Sequence, residues 1–134
     1  MANDTNGLRK INHPMIDGFT DELLEVYAGP DGAGGCPHYY QVRAKEGVKL
    51  GDDTLPVVAE IFLQEGHPKE VGVNGIGVQT LLLIVLDFLQ KAQEGEFRCR
   101  ETAVTITKIE EAMQWNKQRE LDRKQRGVLQ TYQK

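Results

Sequence analysis

The run TLLLIVLDFLQ, residues 80–90, is apolar on nearly every side of any helix it forms. Extended to VQTLLLIVLDFLQKAQ (78–93), it has the length of a globular helix and closes just before Gly95, a helix stop. A helix apolar all round must be buried all round. It falls short of the ~18–20 apolar residues that span a bilayer. A chain of 134 residues suits one compact domain and has too little protein to enclose such a helix. The sequence therefore predicts a homo-oligomer in which another subunit covers part of this surface.

A second helix follows the short loop EGEFRC. In CRETAVTITKIEEAMQW (99–115) the β-branched residues favour strand, but Ala103, Ile106, Ile109 and Met113 step by three and four, the spacing of one helical face. The threonines cost a few tenths of a kcal/mol each against alanine, which packing overrides. Helix two is expected from about Glu101 into the 120s, antiparallel to helix one.

The N-terminal half reads differently. ELLEVYAG (22–29), HYYQVRAKE (38–46) and LPVVAEIFLQEG (55–66) are aromatic and β-branched runs separated by PDGAGGCP and GVKLGDDT, which are turn sequences. Residues 66–77 form a long Gly-rich connection. The expected fold class is α+β: a small antiparallel sheet, about 22–66, packed on a C-terminal two-helix hairpin, about 76–126. Residues 1–18 are polar and read as a flexible arm, leaving 19–134 as a single domain.

Charge narrows the function classes. The net charge of −4 argues against bulk binding of a polynucleotide. From Arg98 onward, however, bases outnumber acids, as suits a local site for a small anion. There is no signal peptide, membrane span or disulfide framework, with Cys36 and Cys99 the only cysteines, so a reduced, cytoplasmic setting is expected.

Arg98 and Arg100 stand at the start of helix two, where free N–H groups and the macrodipole favour an anion. The bland alternative is surface arginines bridging to Glu96 or Glu101. Arg119 and Arg123 are four apart on one helical face and repel unless an anion sits between them; Arg126 extends the cluster. Against this stands a solvated helix end with Glu120 and Asp122 as local partners. GVNGIG has the spacing GxxGxG, not the dinucleotide GxGxxG, so a turn is the better reading. His13, His38 and His67 lack zinc spacing and read as loop histidines. The chain contains no serine, and neither cysteine has a histidine neighbourhood suited to a nucleophile. No catalytic residue, metal site or cofactor is expected.

KEVGVNG (69–75), CRETAVTITKIEEAMQW (99–115) and DRKQRGV (122–128) together resemble the phage proteins with the anti-CBASS and Thoeris anti-defence hairpin domain, most clearly over 63–128. The resemblance implies a sponge that binds immune signals, glyco-cyclic ADP-ribose isomers or cyclic di- and trinucleotides, without cleaving them. It also implies assembly as dimers or hexamers with pockets where subunits meet. By position, Arg119 and Arg123 would take the phosphates. The family pattern has an aromatic at Ala92 and an asparagine at Thr102. Losing the aromatic removes a stacking platform worth ~1–3 kcal/mol per base, so that either Phe97 or Trp115 stacks instead or the preferred ligand differs. A second site, for cyclic oligonucleotides, would fall at Gly66 and His67 with Lys69 and Asn74 nearby. The expected partners are a small cyclic nucleotide and further copies of the chain, in the host cytoplasm, with no polynucleotide and no membrane. Two other classes stay open: a protein–protein module using the basic helix end against a host defence component, and an enzyme that degrades such signals.

Overall fold

The computed structural model describes residues 7–13, 23–48, 51 and 57–127. Its contacts fall into two compact units, Met1–Gly75 and Ile76–Lys134.

The first unit is a four-stranded antiparallel sheet in sequence order: β1 (Arg9–Ile11), β2 (Leu24–Ala28), β3 (Tyr39–Ala44) and β4 (Val57–Phe62). Alternation sorts the side chains into two faces. Leu24, Val26 and Ala28 share one face with Tyr40 and Val42, and Ala28 is fully buried. The other face is polar and bonded laterally. Tyr39 donates to Glu60 at 2.6 Å, Gln41 donates to the Tyr39 oxygen at 2.8 Å, and Arg43 donates to Gln41 at 3.0 Å. Lys10 of β1 meets Glu25 of β2 at 2.9 Å. That hydrogen bond holds the Glu25 carboxyl below its ordinary value and raises Lys10 above its own.

Arg9–Ile11, expected in a flexible arm over 1–18, is thus an edge strand paired Arg9↔Ala28 to Ile11↔Val26. Three residues are too few to show a period, and pairing with β2 makes the strand. Residues 1–6 and 14–18 of that arm lie outside the described residues. The third expected strand ends at Phe62, and the Gly-rich connection holds one helical turn, α1 (Pro68–Val71), with proline at its start and His67 as its cap.

The second unit is a helical hairpin, α2 (Val78–Gln93) and α3 (Arg100–Gln125). Along α2 the inward line is Gln79, Leu82, Leu86, Leu89 and Gln93, with Leu86 the buried centre. The facing line on α3 is Thr102, Ile106, Ile109 and Met113, and Asn116, Glu120 and Arg123 continue the same helical phase beyond the start of α2. Both lines step by three and four, the repeat of a two-helix seam. The expected stripe began at Ala103, which is exposed; Thr102 takes that place. Each glutamine end of the α2 line bonds across the hairpin. Gln79 donates to the Met113 carbonyl at 3.2 Å, and Gln93 donates to the Cys99 carbonyl at 2.8 Å. No helix among the described residues is long and apolar enough to cross a membrane. Leu83, Ile84 and Phe88 of α2 lie off that line and are all more than half exposed.

Candidate functional site

The turn of the hairpin is locked by a reciprocal pair. Cys99 donates its backbone N–H to Gln93 Oε1 at 3.1 Å while Gln93 Nε2 donates to the Cys99 carbonyl. The glutamine amide thus closes a ring with the backbone at the start of α3. Cys99 is the extended N-cap residue of that helix, and its Sγ lies 3.3 Å from Thr102 Oγ1. Around this turn stand exposed Ala92, Arg98 and Arg100, with Phe97 83% exposed. Neither Arg98 nor Arg100 forms an ion pair with Glu96 or Glu101 among the described residues.

The second arginine group lies at the far end of α3. Arg119 is exposed, whereas Arg123 is only 6% exposed. The two arginines expected to share one open face around an anion therefore differ in access. A guanidinium as enclosed as that of Arg123 persists only when paired. Arg126 Nε donates to Asp122 Oδ2 at 3.1 Å, and Glu120 lies 3.6 Å from Lys117 rather than beside Arg119. Trp115, 76% exposed, sits one turn before Arg119 on the same face. From Arg100 to Arg119 the helix rises roughly 28 Å. Thr102, Ala92, Phe97, Arg98 and Arg100 thus gather at one end of the hairpin, and Arg119, Arg123 and Arg126 at the other.

The residues of the expected second site belong to the first unit and mostly hold its loop together. His67 Nδ1 accepts the Lys69 N–H at 3.0 Å as the α1 cap. Asn74 accepts the Glu65 N–H at 2.9 Å, donates to the Glu65 carbonyl at 2.8 Å, and gives its own N–H to Gln64 Oε1 at 2.9 Å. Gly66 takes a positive φ of 88°, and a Cβ there would meet Val71 at 2.9 Å. Of the four, Lys69 alone presents an uncommitted charged side chain.

His38, expected as a loop histidine, lies in a loop just before β3 and is bonded at both ring nitrogens. Its Nε2 lies 2.8 Å from the Ala33 carbonyl and its Nδ1 3.1 Å from the Gln64 carbonyl. Carbonyls only accept, so both bonds form together only in the imidazolium. The bond to Ala33, aided by the nearby Glu65 carboxylate, raises the His38 pKa above 6.5 against the opposing effect of burial. No group of three metal-ligating side chains gathers among the described residues.

Residues 56–119 match the family model described as Acb2/Tad1, hairpin domain. The match takes in both the turn cluster and the 66–74 loop and ends at Arg119, leaving Arg123 and Arg126 beyond it. A relative described as "Thoeris anti-defense 1", from Bacillus phage SBSphiJ7, is 43% identical over 77 residues, 58% of this chain and 54% of that protein. The chain thus spans about half the length of that relative.

Proposed function

We propose, from the premise that this chain belongs to the Acb2/Tad1 hairpin family through residues 56–119, that it is a phage anti-defence protein sequestering cyclic nucleotide immune signals at sites shared between two copies. It acts in the infected cell's cytoplasm and holds its ligand without cleaving it. The observation that carries this reading is the separation of the two clusters. Roughly 28 Å of helix divides Arg100 from Arg119, far more than one small cyclic nucleotide spans. A single hairpin cannot close both clusters around one ligand. Two hairpins side by side and antiparallel can, with the turn of one chain beside the arginine end of its partner.

The open face of α2 supports such a pairing, since Ile84 and Phe88, one turn apart, are 59% and 72% exposed. Exposed apolar surface of that kind marks an interaction site. In the shared site Arg119 grips phosphate through its planar fork, and Trp115 or the partner copy's turn offers a ring to a base. Stacking of that kind is worth ~1–3 kcal/mol per base. The ligand classes are glyco-cyclic ADP-ribose isomers and cyclic di- or trinucleotides.

The test is complementation between two defective chains. Arg119→Glu and the double variant Arg98→Glu/Arg100→Glu are each titrated calorimetrically with the ligand panel, alone and after co-refolding, and bound ligand is recovered and weighed by mass spectrometry. Each alone should fail to bind, while the mixture should regain about a quarter of wild-type capacity, from the one intact site in each mixed dimer. Binding that either variant retains, or a mixture as inert as its parts, removes the shared site; recovered ligand with altered mass removes the sponge.

A further inference from the structure

The first unit carries a groove of about 380 Å³ between the end of β4 and the Pro30–Cys36 loop, within the size range of small-ligand clefts. Its walls are unlike the arginine clusters of the hairpin. Tyr39 and Phe62 line it, their ring centroids 5.2 Å apart and their planes tilted by 45°. Phe62 is half exposed. His38, Glu65 and Asn74 line it too.

Their hydrogen bonds decide what can enter. Both His38 nitrogens are spent on backbone carbonyls. The Asn74 amide oxygen and one of its two N–H groups are taken by the Glu65 backbone. The Tyr39 hydroxyl is spent between Glu60 and Gln41. Glu65 is held in place because its Oε2 accepts the Ala33 N–H at 2.8 Å and rests where a Cβ on Gly32 would stand. Its other oxygen takes no hydrogen bond among the described residues. The groove therefore offers two aromatic rings and one strong acceptor.

Charge removes most alternatives. A phosphate would face the Glu65 carboxylate. A cation would face the imidazolium of His38, which already balances that carboxylate. What remains is a neutral planar ring bearing an N–H donor. We propose that this groove is a nucleobase site, separate from the hairpin clusters, in which Phe62 stacks the ring and Glu65 accepts an exocyclic amine. Adenine, guanine and cytosine present that amine; hypoxanthine and uracil carry a carbonyl at the corresponding position and keep only a ring N–H beside it, where the carbonyl oxygen repels the carboxylate and weakens the fit.

Nucleosides test this without involving phosphate, so the result is independent of the arginine clusters. Adenosine, inosine, cytidine and uridine are titrated into the full ¹⁵N-labelled chain and the amide shifts followed. Adenosine and cytidine should move the amides of Tyr39, Phe62 and Glu65, with inosine and uridine about tenfold weaker, the loss of one good hydrogen bond. Phe62→Ala should remove the response. Glu65→Gln keeps an acceptor for Ala33 and gains a donor, so the preference for adenosine over inosine should narrow or invert. Equal response to all four nucleosides, shifts confined to residues 76–127, or no shifts at all would overturn the proposal. Arg119→Glu should leave these shifts intact, so failure of the sponge reading and failure of this one are told apart.

Discussion

His38 makes the folded first unit sensitive to pH in a direction that can be worked out. Deprotonation leaves one ring N–H to serve two carbonyls, Ala33 O and Gln64 O, so one of the two bonds is lost. The lost bond is charge-assisted and leaves a half-buried carbonyl unpaired; with part of that offset by water, the cost is about 1–2 kcal/mol. Because the folded pKa lies above the ordinary 6.5, the stabilisation is complete below 6.5 and disappears as pH rises through the folded value. The assay is urea unfolding of wild type and His38→Gln from about pH 5.5 to about pH 8.5. His13 and His67 are common to both proteins, so the difference between the curves isolates His38. The gap should be widest at the acid end and shrink by about 1–2 kcal/mol at the alkaline end. A gap that does not change with pH, or a His38 ring that titrates below 6.5 by proton NMR, would refute the two-carbonyl reasoning.

Gly75 sits where a Cβ would lie 2.5 Å from the Leu63 carbonyl carbon and 2.6 Å from Gln64 N, both backbone atoms that cannot step aside. Gly75→Ala should therefore cost about 3 kcal/mol or more. Gly72→Ala, with a φ of 80° and ψ of 177° but open space, should cost about 1–3 kcal/mol from backbone strain alone; comparative melting curves give the order. Gln93→Ala removes both bonds to Cys99 and should cost about 1–3 kcal/mol while raising amide exchange at Cys99, read by hydrogen–deuterium exchange. Phe88→Glu should leave the helical circular dichroism unchanged and lower the sedimentation mass, if a second copy covers that face.

How far the fold can be read from sequence depends on which interactions make each part. Helix α2 was legible end to end, because apolar density and the stop near Gly95 act over neighbouring residues. The three longer strands were legible from their aromatic and β-branched runs between turn sequences; β1 was not, because only its partner Leu24–Ala28 makes it a strand. In α3 the apolar stripe that packs on α2 ends at Met113, opposite Gln79. Residue type predicts an exposed arginine at 123, ten residues past that stripe, and the structure buries it. The arginine clusters could be named from sequence as charges four apart or flanking a helix start. Their separation could also have been counted, by laying helix two out at its rise per residue. The His38 clasp could not, since its second acceptor lies 26 residues away and becomes a neighbour only when β3 and β4 pair.

The unbroken course of α3 makes it a device for keeping phase. Between the locked turn at Cys99 and Arg119 there is no proline, glycine or kink to absorb a change of length. Inserting one residue in that stretch would move Arg119 along the axis by only about 1.5 Å but swing it about 100° around the axis relative to the turn. An insertion of three or four residues would nearly restore the azimuth while lengthening the ruler by a turn. Variation in the length of this helix should therefore come in whole turns, and its relatives' spacing between turn and arginine can be compared as angles rather than as counts.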